Sequence, residues 1–267
     1  MKRTLLILMA ILLAMTIVSC KGNKEAAKLP DDEIKAQVAT YAPLPSFKEV
    51  FRTLDQVPAK DFSAVIPQKL FKTKQEASRN AFALGVLTAD AVMAAKARNK
   101  AKLTEISQEM MNLTTLLNLE DEINRMGANL STLIAQEKWE DLDASLDQVK
   151  KSVEDKLWEL ENYEHYTLMI LGGWTEALSN VSRLLANNYK AENTSAVNQK
   201  GTWNSLSANF GLVSTPAIKD SAPYQAAVPL VQKVKDILNA DTTKTYSKEQ
   251  LQQLIEATDQ IKAAWQQ

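Results

Sequence analysis

The residue with the clearest potential for chemistry is a carboxyl group inside an apolar segment. Between Ala81 and Ala95, which read "AFALGVLTADAVMAA", only Thr88 and Asp90 are polar. A helix that is apolar nearly all round is normally buried, and a buried carboxyl group either gains a raised pKa or finds a hydrogen-bond donor. Asp90 is therefore a ligand contact at the centre of a bundle, a structural hydrogen bond, or part of a narrow polar stripe that reaches solvent.

The partner of Asp90 must come from another part of the chain. No basic residue lies three or four positions away, where it would share the same helix face. The arginines that could supply a donor are Arg52, Arg125 and Arg183.

Three glycines in apolar segments are the next candidates. Gly85 precedes Asp90, and Gly172 and Gly173 precede Trp174. Glycine inside a helix costs about 1 kcal/mol relative to alanine, so a compensating gain is expected. That gain is either the close approach of another helix backbone or the floor of a binding cleft that would bring Asp90, Gly172 and Trp174 together.

Conventional catalytic motifs are missing from the sequence. It has no GxSxG elbow, HExxH or CxxC motif, phosphate-binding glycine loop or dinucleotide fingerprint, and its one histidine is His165. Metal sites of the histidine type need several ligands at suitable spacing. We therefore predict no catalytic residues, no metal, no cofactor and no enzyme activity.

Two aromatic residues raise a further alternative. Trp203 and Phe210 lie among asparagines and serines, a composition that suits stacking against sugars. They are equally well explained as residues that fill the core.

The chain has one cysteine, Cys20, in the stretch "TIVSCKGNK". Before it, Lys2 and Arg3 precede an apolar run from Leu5 to Val18, which is shorter than the roughly 20 residues of a membrane-spanning helix. This layout is typical of a secretory signal. The four residues that end at Cys20, "IVSC", resemble the bacterial lipobox.

That resemblance implies that residues 1–19 are a lipoprotein signal peptide and that Cys20 is the site of lipid attachment. Acyl chains would hold the following domain on a membrane without a spanning helix. Lys21, rather than an aspartate, follows the cysteine and favours the outer membrane of the cell envelope, with the domain facing either the periplasm or the outside. The alternative is an ordinary signal peptide with a spare thiol.

Composition sets the fold class and excludes some partners. The chain carries 31 basic and 32 acidic side chains, so it offers no electrostatic footprint for nucleic acid. No proline occurs between Gln68 and Thr215, and this stretch is rich in good helix formers. We predict an all-α fold.

The expected organisation follows from proline placement and helical periodicity. Residues 20–30 form a lipidated tether, and residues 31–267 form one helical domain. Within it we distinguish a proline-rich opening (31–72), a helical core (73–190), and a polar loop with C-terminal helices (191–267).

About eight to ten helices are expected, in an up-and-down bundle or a stack of helical hairpins. The clearest amphipathic pattern runs from Trp139 to Leu160, with apolar residues every three or four positions. Thr73 to Glu76 and Ser247 to Gln250 have the spacing of capping boxes.

A weak internal duplication is also indicated. The stretches "AFALGVLTADAV" and "TLMILGGWTEAL" share a Leu-Gly pair near the start of a long helix, at an offset of 87 residues. The helix after each stretch is amphipathic or polar.

Three motifs between Pro43 and Leu178 resemble a set of uncharacterised all-helical lipoproteins of Bacteroidetes-type Gram-negative bacteria. They are "LPSFKEVF", "KTKQEASRNAFALGVLTADA" and "LGGWTEAL". The resemblance implies a secreted, anchored, all-helical protein and supplies no activity.

Two functional hypotheses follow. The first is a membrane-anchored, non-enzymatic domain that binds a protein partner or acts as a scaffold in the cell envelope. The second is a small-molecule or glycan-binding module with a cleft near Asp90, Gly172 and Trp174. A pocket with Asp90 in its wall favours the second hypothesis, whereas an apolar surface patch favours the first.

Overall fold

A computed structural model describes residues 61–72, 74, 76–114, 117, 119–159, 162–240 and 244–266. In these residues the chain forms nine α-helices and two 3-10 helices, and no strand. The predicted all-α class and number of helices are thereby confirmed. The predicted signal peptide, Cys20, the tether and the opening up to residue 60 lie outside the described residues.

The first four helices form one closed unit. They are α1 (Ala77–Lys96), α2 (Lys100–Thr114), α3 (Glu120–Ala135) and α4 (Trp139–Glu159). Each helix packs against the next, and α4 returns to pack against α1. Short connections between them give the antiparallel neighbours that were predicted.

The remaining helices repeat this arrangement with two additions. They are α5 (Tyr163–Asn187), α6 (Lys200–Gly211), α7 (Pro216–Lys219), α8 (Ala222–Asn239) and α9 (Lys248–Gln266). Helix α5 packs against α6, α6 against α8, and α8 against α9, and α9 returns to α5. The additions are the 3-10 helix Ala191–Val197 and the single-turn helix α7.

Helices α1 and α5 join the two units through the most extensive helix contact in the described structure. Both helices are buried along most of their length, as the apolar sequence around Asp90 predicts. The fourth helix of each unit also touches the first helix of the other, α4 on α5 and α9 on α1. The described helices therefore have an approximate twofold arrangement, which agrees with the 87-residue offset of the Leu-Gly pairs.

A segment before α1 covers part of this core. Residues 61–72, the N-terminal strap, begin with the 3-10 helix Phe62–Val65, which packs against α1 and α5. Asp61 caps that helix by accepting a hydrogen bond from the Ser63 nitrogen at 3.0 Å. Val65, Leu70 and Phe71 anchor the strap in the hydrophobic core.

The amphipathic pattern of α4 is confirmed by burial. Five members of its apolar stripe are at most 4% exposed: Leu142, Leu146, Val149, Val153 and Leu157. Trp139 is only partly buried, and Leu160 lies outside the described residues. Because the apolar residues recur at the helical period, the local sequence alone determines which face is buried.

One predicted capping box is present and the other is not formed as expected. At the start of α9, Ser247 Oγ accepts a hydrogen bond from the Gln250 nitrogen (3.1 Å), and Gln250 Oε1 accepts one from the Ser247 nitrogen (2.8 Å). At the start of α1, Glu76 lies at the N-cap and its carboxylate binds Arg79 Nε at 3.0 Å instead. Thr73 lies outside the described residues.

The sugar-stacking alternative is wrong for the aromatic residues that suggested it. Trp203 is fully buried and Phe210 is 2% exposed. Phe210 packs against Tyr224, with ring centroids 4.5 Å apart, and its carbonyl accepts a hydrogen bond from the Tyr224 hydroxyl. Both rings therefore fill the core.

Both units described above lie within one compact part of the chain, Ala39–Gln267. Among the residues that the structure describes, no helix combines the length and apolar character needed to span a bilayer.

Candidate functional site

Asp90 lies on the inner part of α1 and is 1% exposed. No described residue donates a hydrogen bond to its Oδ1 atom. A buried polar atom without a partner is costly, so a native structure that retains one needs an explanation.

The immediate neighbour of Asp90 is a second carboxyl group, that of Glu176 on α5. Burial raises the pKa of Asp90 well above its usual value, and the charge and hydrogen bond of Glu176 raise this pKa further. The charge of Lys262 and the side chain of Asn180 lower the pKa of Asp90, but they offset this rise only in part. Asp90 is therefore protonated over a wider pH range than an exposed aspartate.

Lys262 on α9 provides the positive charge of the site. Its Nζ atom lies 2.6 Å from Glu176 Oε2 and 3.2 Å from Asp259 Oδ1. Burial alone would lower the pKa of Lys262, but the interactions with Glu176, Asp259 and Asp90 raise it. The ammonium group therefore stays charged and is shared between two carboxylates.

Asp259 forms the outer side of the same cluster. It pairs with Arg183 on α5 and accepts a hydrogen bond from Ser179 Oγ at 3.3 Å. Burial alone would raise the pKa of Asp259, but the hydrogen bond from Arg183 and the charges of Lys262 and Arg183 lower it. Asp259 is thus ionised and satisfied.

These groups line a cleft of about 260 Å³ that opens to solvent, the Asp90 cleft. Its polar wall comes from three helices and consists of Asp90, Glu176, Asp259, Lys262 and Gln266. This volume is close to the lower end of the range for small-molecule sites in proteins, about 300–1,000 Å³.

The N-terminal strap and α1 supply apolar groups to the same cleft. Pro67 and Phe71 of the strap and Val86 of α1 line it, and the exposed Lys69 stands at its edge. The Phe71 ring packs against Phe82 with centroids 5.8 Å apart, which fixes this part of the lining to the core. The cleft is therefore lined by both charged and apolar side chains.

The predicted glycines act in helix packing. A methyl group on Gly85 would overlap the carbonyl oxygen of Met169 and lie 2.7 Å from the Gly173 nitrogen. A methyl group on Gly172 would overlap the carbonyl oxygen of Phe82. The backbones of α1 and α5 thus touch, as the first of the two alternatives for these glycines requires.

Trp174 is fully buried, and neither it nor Gly85, Gly172 or Gly173 lines the Asp90 cleft. Of the residues expected at a cleft, the structure brings only Asp90 to this one. Its neighbours Glu176, Lys262 and Asp259 were missed by sequence reasoning. Glu176 carried the same signal as Asp90, an acid in an apolar helix, whereas Lys262 had no distinguishing pattern.

The expectation of an arginine partner for Asp90 is also corrected. Arg183 lies in the same cluster but pairs with Asp259. Arg52 and the side chain of Arg125 lie outside what the structure describes. The cation that reaches the neighbourhood of Asp90 is Lys262, because α9 packs across both α1 and α5.

The acids of the cleft have no counterparts in the repeated pattern. At the 87-residue offset, Asp90 corresponds to Ala177 and Glu176 to Ala89. Between α1, α4 and α5, Leu84, Val149 and Val153 line a void of only about 10 Å³. The approximate twofold arrangement of the helices therefore does not extend to the charged groups of the cleft.

The chemistry available in the cleft is charge pairing and hydrogen bonding. Within the described ranges, no group of three histidine, cysteine, aspartate or glutamate side chains is placed to hold a metal ion. His165 lies in the first turn of α5, where it contacts Asn162, and burial lowers its pKa. It does not line the Asp90 cleft.

Comparison with known proteins gives no family for this chain. No family model, no curated protein and no solved structure matches it.

Proposed function

We propose that this protein is a lipid-anchored binding protein of the cell envelope, whose helical domain holds a small ligand in the Asp90 cleft without transforming it. The observation that carries the proposal is the Oδ1 atom of Asp90, which is buried in the cleft wall without a donor. A ligand that donates a hydrogen bond would satisfy it.

The state of the charged groups favours binding over catalysis. A lysine becomes a nucleophile when its pKa is lowered, whereas the pKa of Lys262 is raised. Asp259 is held ionised by Arg183 and Lys262. Groups that are locked in ion pairs can position a ligand, but they are poorly suited to exchange protons with it.

The surface favours a small ligand over a protein partner. In the part of the chain that the structure describes, the exposed large apolar side chains are Met111, Tyr189, Leu212 and Val228. They lie on separate elements, and each is only slightly more than one-third exposed. A protein interface usually offers a contiguous apolar patch of several hundred Å².

The anchor rests on the sequence around Cys20. The lipobox resemblance and the resemblance to all-helical lipoproteins both support lipidation at this residue, with residues 1–19 removed. Lys21 favours the outer membrane, and residues 20–30 would act as a tether for the domain.

The ligand-binding part is tested by thermal unfolding of the mature full-length chain in detergent micelles. We expect some members of a small-molecule library of mixed charge to raise the melting temperature of the wild type and not that of Asp90→Asn. Compounds that stabilise both proteins equally would place the binding site elsewhere. If no compound of any charge class stabilises the wild type, the ligand-binding function is wrong.

The anchor is tested separately by Cys20→Ala. We expect the wild type in the membrane fraction with an acylated amino terminus by mass spectrometry, and the variant to remain unlipidated. A wild-type chain that is released without acyl groups would contradict the proposed localisation.

A further inference from the structure

We propose that the Asp90 cleft binds a small organic cation, with its ammonium or amidinium group against Asp90 and an apolar substituent against Phe71. This inference rests on the proposed ligand-binding function and adds the chemical class of the ligand.

The charged groups of the polar wall are mainly acidic. Three carboxyl groups line it, and Lys262 is the one partly buried cation among its lining residues. Lys262 is already engaged by Glu176 and Asp259. Arg183 is engaged by Asp259, and Lys69 is exposed at the edge of the cleft.

Asp90 is therefore the carboxyl group for which the surrounding helices provide no cation of its own. Buried carboxylates are stable when a cation pairs with them and their lone pairs are satisfied. An ammonium group beside Oδ1 would supply both the charge and the missing donor. An anionic ligand would instead meet three carboxyl groups.

The size of the cleft and its apolar lining also favour this class of ligand. Pro67, Phe71 and Val86 line it together with the carboxyl groups. A volume of about 260 Å³ suits a small ligand rather than a large one. A primary amine with one short apolar or aromatic substituent meets both requirements.

Cation binding at this position must be linked to the protonation of Asp90. The groups that face Asp90 are Glu176 from α5 and Lys262 from α9, with Asp259 and the exposed Lys69 further out along the cleft. A bound ammonium favours the ionised carboxylate, so the Asp90 proton leaves to the buffer as the cation enters. The charge of the cleft is then unchanged by binding, and affinity rises with pH while Asp90 still holds a proton in the free protein.

The experiment is isothermal titration calorimetry on the mature full-length chain in detergent micelles. The probes are benzylammonium, its neutral analogue benzyl alcohol, benzoate and glucose. We expect benzylammonium to bind at least about tenfold more tightly than the other three. Repeating the titration at several pH values in buffers of different ionisation enthalpy should show proton release at a pH where Asp90 is still protonated in the free protein.

Two variants complete the test. Asp90→Asn should weaken benzylammonium binding about tenfold or more and abolish the proton release. Asp220→Asn, an acid that is exposed after α7, should leave both unchanged. Circular dichroism establishes that both variants fold, and because asparagine has the size of aspartate, Asp90→Asn is expected to do so.

Failure of the cation class can be distinguished from failure of the proposed ligand-binding function. Binding of glucose or benzyl alcohol that depends on Asp90 would overturn the cation class and retain the ligand site. Benzylammonium binding that is equal in Asp90→Asn, or that releases no proton at any pH of the series, would also overturn the inference. If the library compounds stabilise the protein through Asp90 but benzylammonium does not bind, the cation class is wrong and the binding function stands.

Discussion

Gly85 and Gly172 have a reciprocal relationship across the α1–α5 crossing. Each lies against the backbone carbonyl of the residue three positions before the other, Met169 for Gly85 and Phe82 for Gly172. Both glycines occupy the same place in their own unit, at the 87-residue offset. The same pairing of a glycine with a carbonyl group therefore occurs twice in the contact that joins the two units.

This crossing predicts that Gly85→Ala and Gly172→Ala are each destabilising. The added methyl group meets backbone atoms, which cannot move aside as a flexible side chain can. We expect a loss of about 2 kcal/mol or more in the free energy of unfolding, measured by urea denaturation.

The matched control is Gly201→Ala in α6, where nothing lies within 4 Å of an added Cβ. Because alanine is the better helix former, this variant should be neutral or stabilised by up to about 1 kcal/mol. Equal effects at the three positions would contradict the close helix contact.

The raised pKa of Asp90 predicts how stability depends on pH. In the unfolded chain Asp90 titrates near 3.8, whereas in the folded protein it keeps its proton to higher pH. Unfolding then releases a proton, so this residue makes stability fall as pH rises from about 4 through the folded pKa, by at most about 1.4 kcal/mol per pH unit.

Asp90→Asn should remove that decline. We expect the melting temperatures of variant and wild type to be similar near pH 4 and to diverge as pH rises, with the variant the more stable. The pKa of Asp259 is lowered in the folded protein, so the stability that Asp259 contributes is lost as pH falls below the pKa of this residue in the unfolded chain. This direction is opposite to that of Asp90. A gap that is constant with pH would show that Asp90 is ionised in the folded protein.

Lys262→Met should be strongly destabilising, because it leaves the carboxylate of Glu176 buried without a cation. The Glu176 side chain is 6% exposed and that of Lys262 is 19% exposed. Removing one partner of a buried pair costs about 3–5 kcal/mol, and chemical denaturation would measure the loss.

The surface pair Lys156–Glu159 is the control for this prediction. Its side chains are 40% and 67% exposed, so Lys156→Met should change stability by less than about 1 kcal/mol. Adding Glu176→Gln to Lys262→Met should recover part of the loss. No recovery would mean that the charge of Glu176 is not the cause.

The last turn of α9 should contribute strongly to the stability of the fold because it carries Trp265. Its ring is fully buried and stacks on Phe82 at 5.2 Å, and its carbonyl accepts a hydrogen bond from Arg79 Nη1 at 3.1 Å. Trp265→Ala should cost about 3–5 kcal/mol in unfolding free energy. Leu212→Ala, at a side chain that is 37% exposed, should cost less than about 1 kcal/mol if burial is the reason.

The parts of the fold that depend on nearby residues could be predicted from the sequence. The buried stripe of α4 and the capping box of α9 each follow from residues within a few turns of one another. The burial of Asp90 follows from the apolar residues on every side of it in α1.

The composition of the site could not be predicted in the same way, because it depends on contacts between distant helices. Asp90 and Glu176 lie 86 positions apart, and two neighbouring acids contradict the usual expectation of an opposite charge. Lys262 follows Ile261 on a helix whose pattern indicates only which face is apolar. The prolines before residue 68 indicate where helices are interrupted, but not that the strap would form one wall of a cleft.

The twofold arrangement separates the part of the molecule that must be preserved from the part that is free to vary in evolution. Reciprocal glycine contacts hold the two units together, and none of the cleft residues takes part in them. Heritable changes at the lining residues can therefore alter the cleft while the helix contact persists, except where they leave a buried charge unpaired, as Lys262→Met would. At the positions equivalent to Asp90 and Glu176 in the repeated pattern, Ala177 and Ala89, the same helix contact accommodates small apolar side chains.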